Sequence, residues 1–243
     1  MRKILLYTFI WVTLYAIAMA FLESAVVVYI REIFYPDGFS FPLKDIGNHL
    51  AATEFIREAA TLLMLVAIGM LAGTTRNARF AWFIYSFAVW DIFYYVFLKA
   101  LLNWPASLLE WDVLFLIPVT WVGPVIAPVI CSLLMIILAL AMLCIELRNG
   151  RVQAGKTVWS LLISGSLIVI ISFTMDFVNF MHGYFSWSEI LAFRWMAEIT
   201  KLSELYVPQH FNWWVFLAGI AVISAGIVLF IRNSVKKTVS SAQ

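Results

Sequence analysis

Six long apolar runs, parted by charged breaks, constrain this chain more than any other feature. They fall at approximately 4–30, 51–72, 80–102, 122–145, 158–181 and 213–231. About 20 residues at 1.5 Å of rise each cross a hydrocarbon core of roughly 30 Å. A backbone inside lipid must satisfy its own polar groups, and within one segment only a helix does that. The fold expected is therefore all-α: a polytopic membrane bundle of six transmembrane helices, forming a single integral membrane domain over residues 1–243. Composition agrees, because 64% hydrophobic and 12% charged residues with a mean hydropathy of +0.95 exclude an ordinary soluble domain.

The charges orient the bundle. The two chain ends and the second and fourth connections hold Arg2, Lys3, Arg76, Arg79, Arg148, Arg151, Lys156, Arg232, Lys236 and Lys237 against a single acid, Glu146. By the positive-inside rule these segments are cytoplasmic, both termini included, in a cell membrane of the bacterial inner-membrane type. The opposite half carries the other thirteen acids, six cations and all three histidines. Because the basic residues sit at helix ends and the formal net charge is only +2, nucleic acid is not a partner; the lipid bilayer is.

The first run begins with Arg2 and Lys3 and contains Ala18-Met19-Ala20, which imitates a secretory signal with its cleavage site. A retained first helix is expected instead, since the apolar pattern resumes over 25–30 and the charge pattern closes only with six spans. Cys131 and Cys144 lie thirteen residues apart on one apolar run, too far to bond to each other, and read as buried apolar residues. Phosphate-loop, zinc-helix and nucleophile-elbow motifs are absent from the sequence.

Two outer connections depart from plain loops. Over 112–146 the chain is nearly all apolar, which as one straight helix would reach roughly 50 Å. Pro118, Gly123, Pro124 and Pro128 must break it. Either a re-entrant segment within 108–121 precedes the fourth span, or a proline-kinked helix projects beyond the bilayer. Over 186–206, Ile190, Leu191, Phe193, Trp195 and Ile199 alternate with Glu189, Arg194, Glu198 and Lys201. That pattern reads as an amphipathic helix on the outer surface before the sixth span. The aromatic segment 186–214 is also where a membrane protein partner would dock.

Functional interest centres on ionisable residues inside the spans, which are costly there and usually face a bundle interior. Glu54, Arg57, Glu58 and Thr61 share one face of the second span at i, i+3, i+4 and i+7. Asp91, Tyr94, Tyr95 and Lys99 form a second stripe, and Ser172, Asp176, Asn179 and Gly183 a third. With Glu23 these stripes end at one depth, which points to a common pocket open to the outside. The ligand-binding or ion-pair residues expected are Glu23, Glu54, Arg57, Glu58, Asp91, Tyr95, Lys99, Asp176 and Asn179.

Several acids in low dielectric cannot all stay ionised without a proton, a metal or a cation beside them. Three readings follow. In one, Arg57 bridges Glu23 and Asp91, Lys99 takes another acid, and the network only braces helices. In the second, Glu23, Glu58, Asp91 and Asp176, with His182 or His49 at the rim, ligate a divalent metal cofactor, although the Glu-x-x-His pattern of diiron bundles is missing. In the third the acids bind or carry a cation, a proton or a small polar ligand, and this outward-facing carboxylate site is the function we expect. A membrane metalloenzyme acting on a lipid or quinone from the outer leaflet, and a structural or assembly subunit, are the alternatives.

Overall fold

The computed structural model of the chain describes residues 2–115, 119–149, 154–191, 202 and 204–240. Six helices in it are long and apolar enough to cross a membrane: α1 (Arg2–Phe34), α2 (Gly47–Ala72), α3 (Arg76–Leu102), α4 (Ile126–Asn149), α5 (Lys156–His182) and α7 (Trp213–Ser240). The chain is a multi-pass integral membrane protein with an all-α bundle. Between α3 and α4 stand two short strands, β1 (Trp111–Phe115) and β2 (Trp121–Pro124), and α6 (Trp187–Leu191) follows α5.

The ends of the helices are set by local chemistry. Thr75 caps α3 by accepting a hydrogen bond from the Ala78 amide at 3.1 Å. Gly73 just before it leaves no room for a side chain, because the Arg79 backbone crosses it. At the other end of α3, Asn103 takes the left-handed conformation with φ of 52°, and Lys99 Nζ donates to the carbonyls of Asn103 and Pro105 at 3.3 and 2.9 Å. Pro128 falls in the first turn of α4, where a missing N–H costs no helical bond.

Helix α3 is the central post, packing on α1, α2 and α4, while α5 pairs with α7. The α5–α7 approach is close because glycines meet there. A Cβ on Gly165 would stand 2.7 Å from Ile223 Cγ1, and one on Gly219 would stand 3.0 Å from the Gly165 carbonyl oxygen. At the basic end of the bundle, Trp82, Leu138, Met142, Leu162 and Phe230 form the largest buried cluster. At the acid-rich end, Phe173, Phe211 and Phe216 form one cluster and Phe177, Met181 and Tyr206 another. Large apolar side chains left outside, such as Leu63 at 70% and Leu71 at 84% exposed, are the surface offered to acyl chains.

The connection after α3 is not a proline-kinked helix. It doubles back as an antiparallel hairpin in which Trp111 pairs with Pro124 and Phe115 with Trp121, with a register shift between Val113 and Phe115. The paired strands satisfy each other's backbone groups, which lets non-helical chain lie inside a bundle. Residues 116–118, with Pro118, fall outside the described residues. So does most of the expected amphipathic helix over 186–206, of which α6 is the described beginning. Cys144 is exposed on the lipid-facing side rather than buried, whereas Cys131 is half-buried.

Candidate functional site

The acid-bearing helices enclose a cavity of about 520 Å³ that runs from the acid-rich end deep into the bundle. This lies within the roughly 300–1,000 Å³ common among small-molecule sites. Glu23, Val27, Ile30 and Arg31 enter it from α1, at the i, i+4, i+7 and i+8 spacing of a single helix face. Glu54, Arg57 and Glu58 enter from α2, Asp91, Tyr94 and Tyr95 from α3, Asp112 from β1 and Ser132 from α4. Lys44 stands among the lining residues with its ammonium 5.3 Å from the centroid of the Tyr35 ring.

Most of this charge is already paired. Arg57 holds an ion pair with Glu23 and a two-pronged one with Glu54, Nε to Oε2 being 2.8 Å. Thr61 adds a hydrogen bond to Glu23 Oε2 at 3.2 Å. Arg57 therefore bridges Glu23 and Glu54, whereas the sequence suggested Glu23 and Asp91. Arg31 pairs with Asp112 at 3.3 Å, and its guanidinium lies between the Phe39 and Trp104 rings at 4.3 and 3.9 Å from their centroids. Burial pushes the Asp112 carboxyl up to about 6 although Arg31 pulls it down, and the Tyr95 hydroxyl and Val113 amide are its other polar neighbours.

Asp91 is different. Among the described residues its one hydrogen bond comes from Ser132 Oγ at 2.7 Å, and no cation pairs with it. The surface it retains faces the cavity. A carboxylate so placed holds a proton or meets a positive charge that no described ion pair supplies. Nearby, the indole N–H groups of Trp90 and Trp121 have no acceptor among the described residues.

Below Asp91 the lining turns apolar. Phe87 of α3 stacks on Phe115 at 6.4 Å, Phe115 meets Trp121 at 5.7 Å, and Trp121 stacks on Phe173 of α5 at 6.5 Å. The hairpin thus spans from α3 to α5 as an aromatic waist. Past the waist, Phe80, Ile84, Leu138, Leu162 and Val169 line the cavity, and the Phe80–Trp159 ring contact at 5.0 Å closes its floor.

The remaining residues read from the sequence lie elsewhere. Lys99 serves the backbone at the end of α3, as described. Asp176 accepts from the Tyr206 hydroxyl at 2.6 Å and from the amides of Gln209 and His210 at 3.0 and 3.1 Å, tying down the segment before α7. Burial, with the hydrogen bond to the Asp176 carboxylate and its negative charge, pushes the Tyr206 phenol well up. Asn179 and His49 are exposed, and His182 is exposed with its ring 4.5 Å from that of Trp187. Of three polar stripes, those on α2 and α3 meet in the cavity and the α5 stripe does not. Among the described residues no three His, Cys, Asp or Glu side chains gather to hold a metal ion.

From the sequence, Arg31 was expected as one of the cations that could pair with the acids, beside Arg57 and Lys99, but Asp112, Ser132, Trp90 and Trp121 were not placed at the site. Two signals were there to read: Arg31 shares the helix face of Glu23, and Trp111-Asp112 repeats the dipeptide Trp90-Asp91. Ser132 inside an apolar run carried none. Compared with protein-family models, with curated proteins and with solved structures, the chain matches none.

Proposed function

We propose that this membrane protein binds a positively charged or protonatable ligand in its intramembrane cavity, with Asp91 as the anionic contact. The observation that carries the reading is the bareness of Asp91. The cavity is lined by five carboxylates, Glu23, Glu54, Glu58, Asp91 and Asp112, against the three cations Arg31, Lys44 and Arg57. Arg57 is engaged by Glu23 and Glu54, and Arg31 by Asp112, whereas among the described residues Asp91 has an ion pair with neither and a hydrogen bond from Ser132 alone. Such an imbalance in low dielectric favours a cation or proton. The ten-to-one excess of cations over acids at the opposite end supports an orientation in which the acid-rich end faces outward, so that the ligand arrives from that side.

Asp91→Asn is the discriminating change, because the amide keeps shape and hydrogen-bonding capacity but loses the ionisable group. Purified protein in maltoside detergent is titrated with alkali cations, ammonium and short primary amines while its melting temperature is followed. At least one of these probes stabilises the wild type in a saturable way, and Asp91→Asn loses that response while melting, without ligand, close to the wild-type temperature. No response from any probe in the wild type, with a large loss of melting temperature in Asp91→Asn, would make Asp91 a helix brace.

A further inference from the structure

The cavity continues well past its charged part, and resting on the reading of Asp91 as the anionic contact, we infer that the ligand is a single-chain amphiphilic amine whose ammonium meets Asp91 and whose apolar chain passes the aromatic waist into the chamber below. Asp91 stands eleven residues, about 16 Å, above Phe80 on α3. Over that length the wall is mostly hydrocarbon or aromatic, with Ser166 a polar exception: Phe87 and Trp121 at the waist, then Ile84, Leu138, Leu162 and Val169. A bare metal ion or a small ammonium ion fills only the top of such a space and leaves the apolar chamber without an occupant.

Access fits the same ligand. Helix α3 packs on α1, α2 and α4, and α5 packs on α7 and β2, so α3 and α5 face each other across the cavity between the waist and the Phe80–Trp159 floor. Ser166 lines the cavity from α5 and is exposed, and its neighbour Leu167 is 55% exposed to the surroundings. A chain lying among the acyl tails enters sideways there while its head stays at the depth of Asp91. The charged part of the site selects the head, and the chamber selects the chain.

The test is a length series at a fixed head. Ethylamine, butylamine, hexylamine and octylamine are titrated calorimetrically into the purified protein in maltoside detergent, with ligand-free micelles as blank and 1-octanol as the neutral counterpart. If the chain enters the chamber, Kd falls by about fourfold per added methylene, the equivalent of about 0.8 kcal/mol each. Octylamine then binds far more tightly than 1-octanol, and Asp91→Asn abolishes that preference. Ser166→Trp, which puts an indole into the chamber, removes the length dependence. The wild-type series decides the matter even if that variant fails to fold. Amines that bind in an Asp91-dependent way with no dependence on length would overturn the amphiphile and leave the cation site standing. Equal binding of 1-octanol and octylamine would overturn the ammonium head. Failure of every amine to bind would overturn this inference, and the proposed function falls with it only if alkali cations and ammonium also leave the wild-type melting temperature unmoved.

Discussion

Arg57 is the side chain whose loss leaves the most charge stranded. Replacing it by leucine strips the cation from Glu23 and Glu54 together, both of them largely enclosed. Breaking a buried pair from one side costs on the order of 3 kcal/mol or more, so Arg57→Leu is expected to lower the melting temperature sharply. Adding Glu23→Gln should give some of that back, and purely additive effects in the double-mutant cycle would show that the two do not interact. Asp176 makes the opposite case from Asp91. It accepts from Tyr206, Gln209 and His210, so Asp176→Asn should destabilise by roughly 1–3 kcal/mol while leaving amine binding at the cavity unchanged. Loss of ligand binding without loss of stability would place Asp176 in the site instead. The stripe Glu54, Arg57 and Glu58 was legible in the sequence because helical spacing is local. That Arg57 turns to Glu54 and not to Asp91 was not legible, because it depends on where α1 and α3 stand relative to α2.

The elements differ in how firmly the sequence specifies them. Each apolar run holds a spanning helix, since lipid allows a single spanning chain no other local solution, but the fourth starts only at Ile126 because 122–124 pair as β2. The break after α3 could be foreseen from its prolines and glycine, but its form could not. Strand pairing joins Trp111–Phe115 to Trp121–Pro124, and β2 packs on α4 and α5, neighbours that the local sequence does not name. The α5–α7 contact offers a clean test of element packing. Gly165→Val puts carbon atoms where Ile223 and the Gly219 carbonyl already stand, and overpacking of this kind costs about 1–3 kcal/mol. A melting temperature well below that of wild type is expected, whereas Ile163→Ala, on the lipid-facing side of the same helix, should change little. Equal effects at the two positions would mean that the glycine contact does not hold the helices together.

At the scale of the whole molecule, the charge asymmetry sets an expected topology with the chain ends and the α2–α3 turn on the cytoplasmic side. In a background with Cys131 and Cys144 replaced by serine, an impermeant thiol reagent added to intact cells should label Ser40→Cys. It should reach Thr74→Cys only after permeabilisation. The reverse pattern would invert the molecule. Both positions are exposed, so access and not burial decides the result.

Span number, helical fold class and the unequal ends were determined by the sequence alone, because hydropathy, length and charge act locally or through the bilayer and need no knowledge of neighbours. The two stripes that meet at the cavity were also visible one helix at a time. Only the tertiary structure decided which faces turn toward each other. It brought Arg31 of α1 against Asp112 of the hairpin, gave Ser132 to Asp91, and left the α5 stripe to hold the segment before α7. Helix rotation and tilt are set by packing against other helices and not by the apolar length of any one. Whether a buried acid finds a cation is for that reason a property of the assembled bundle.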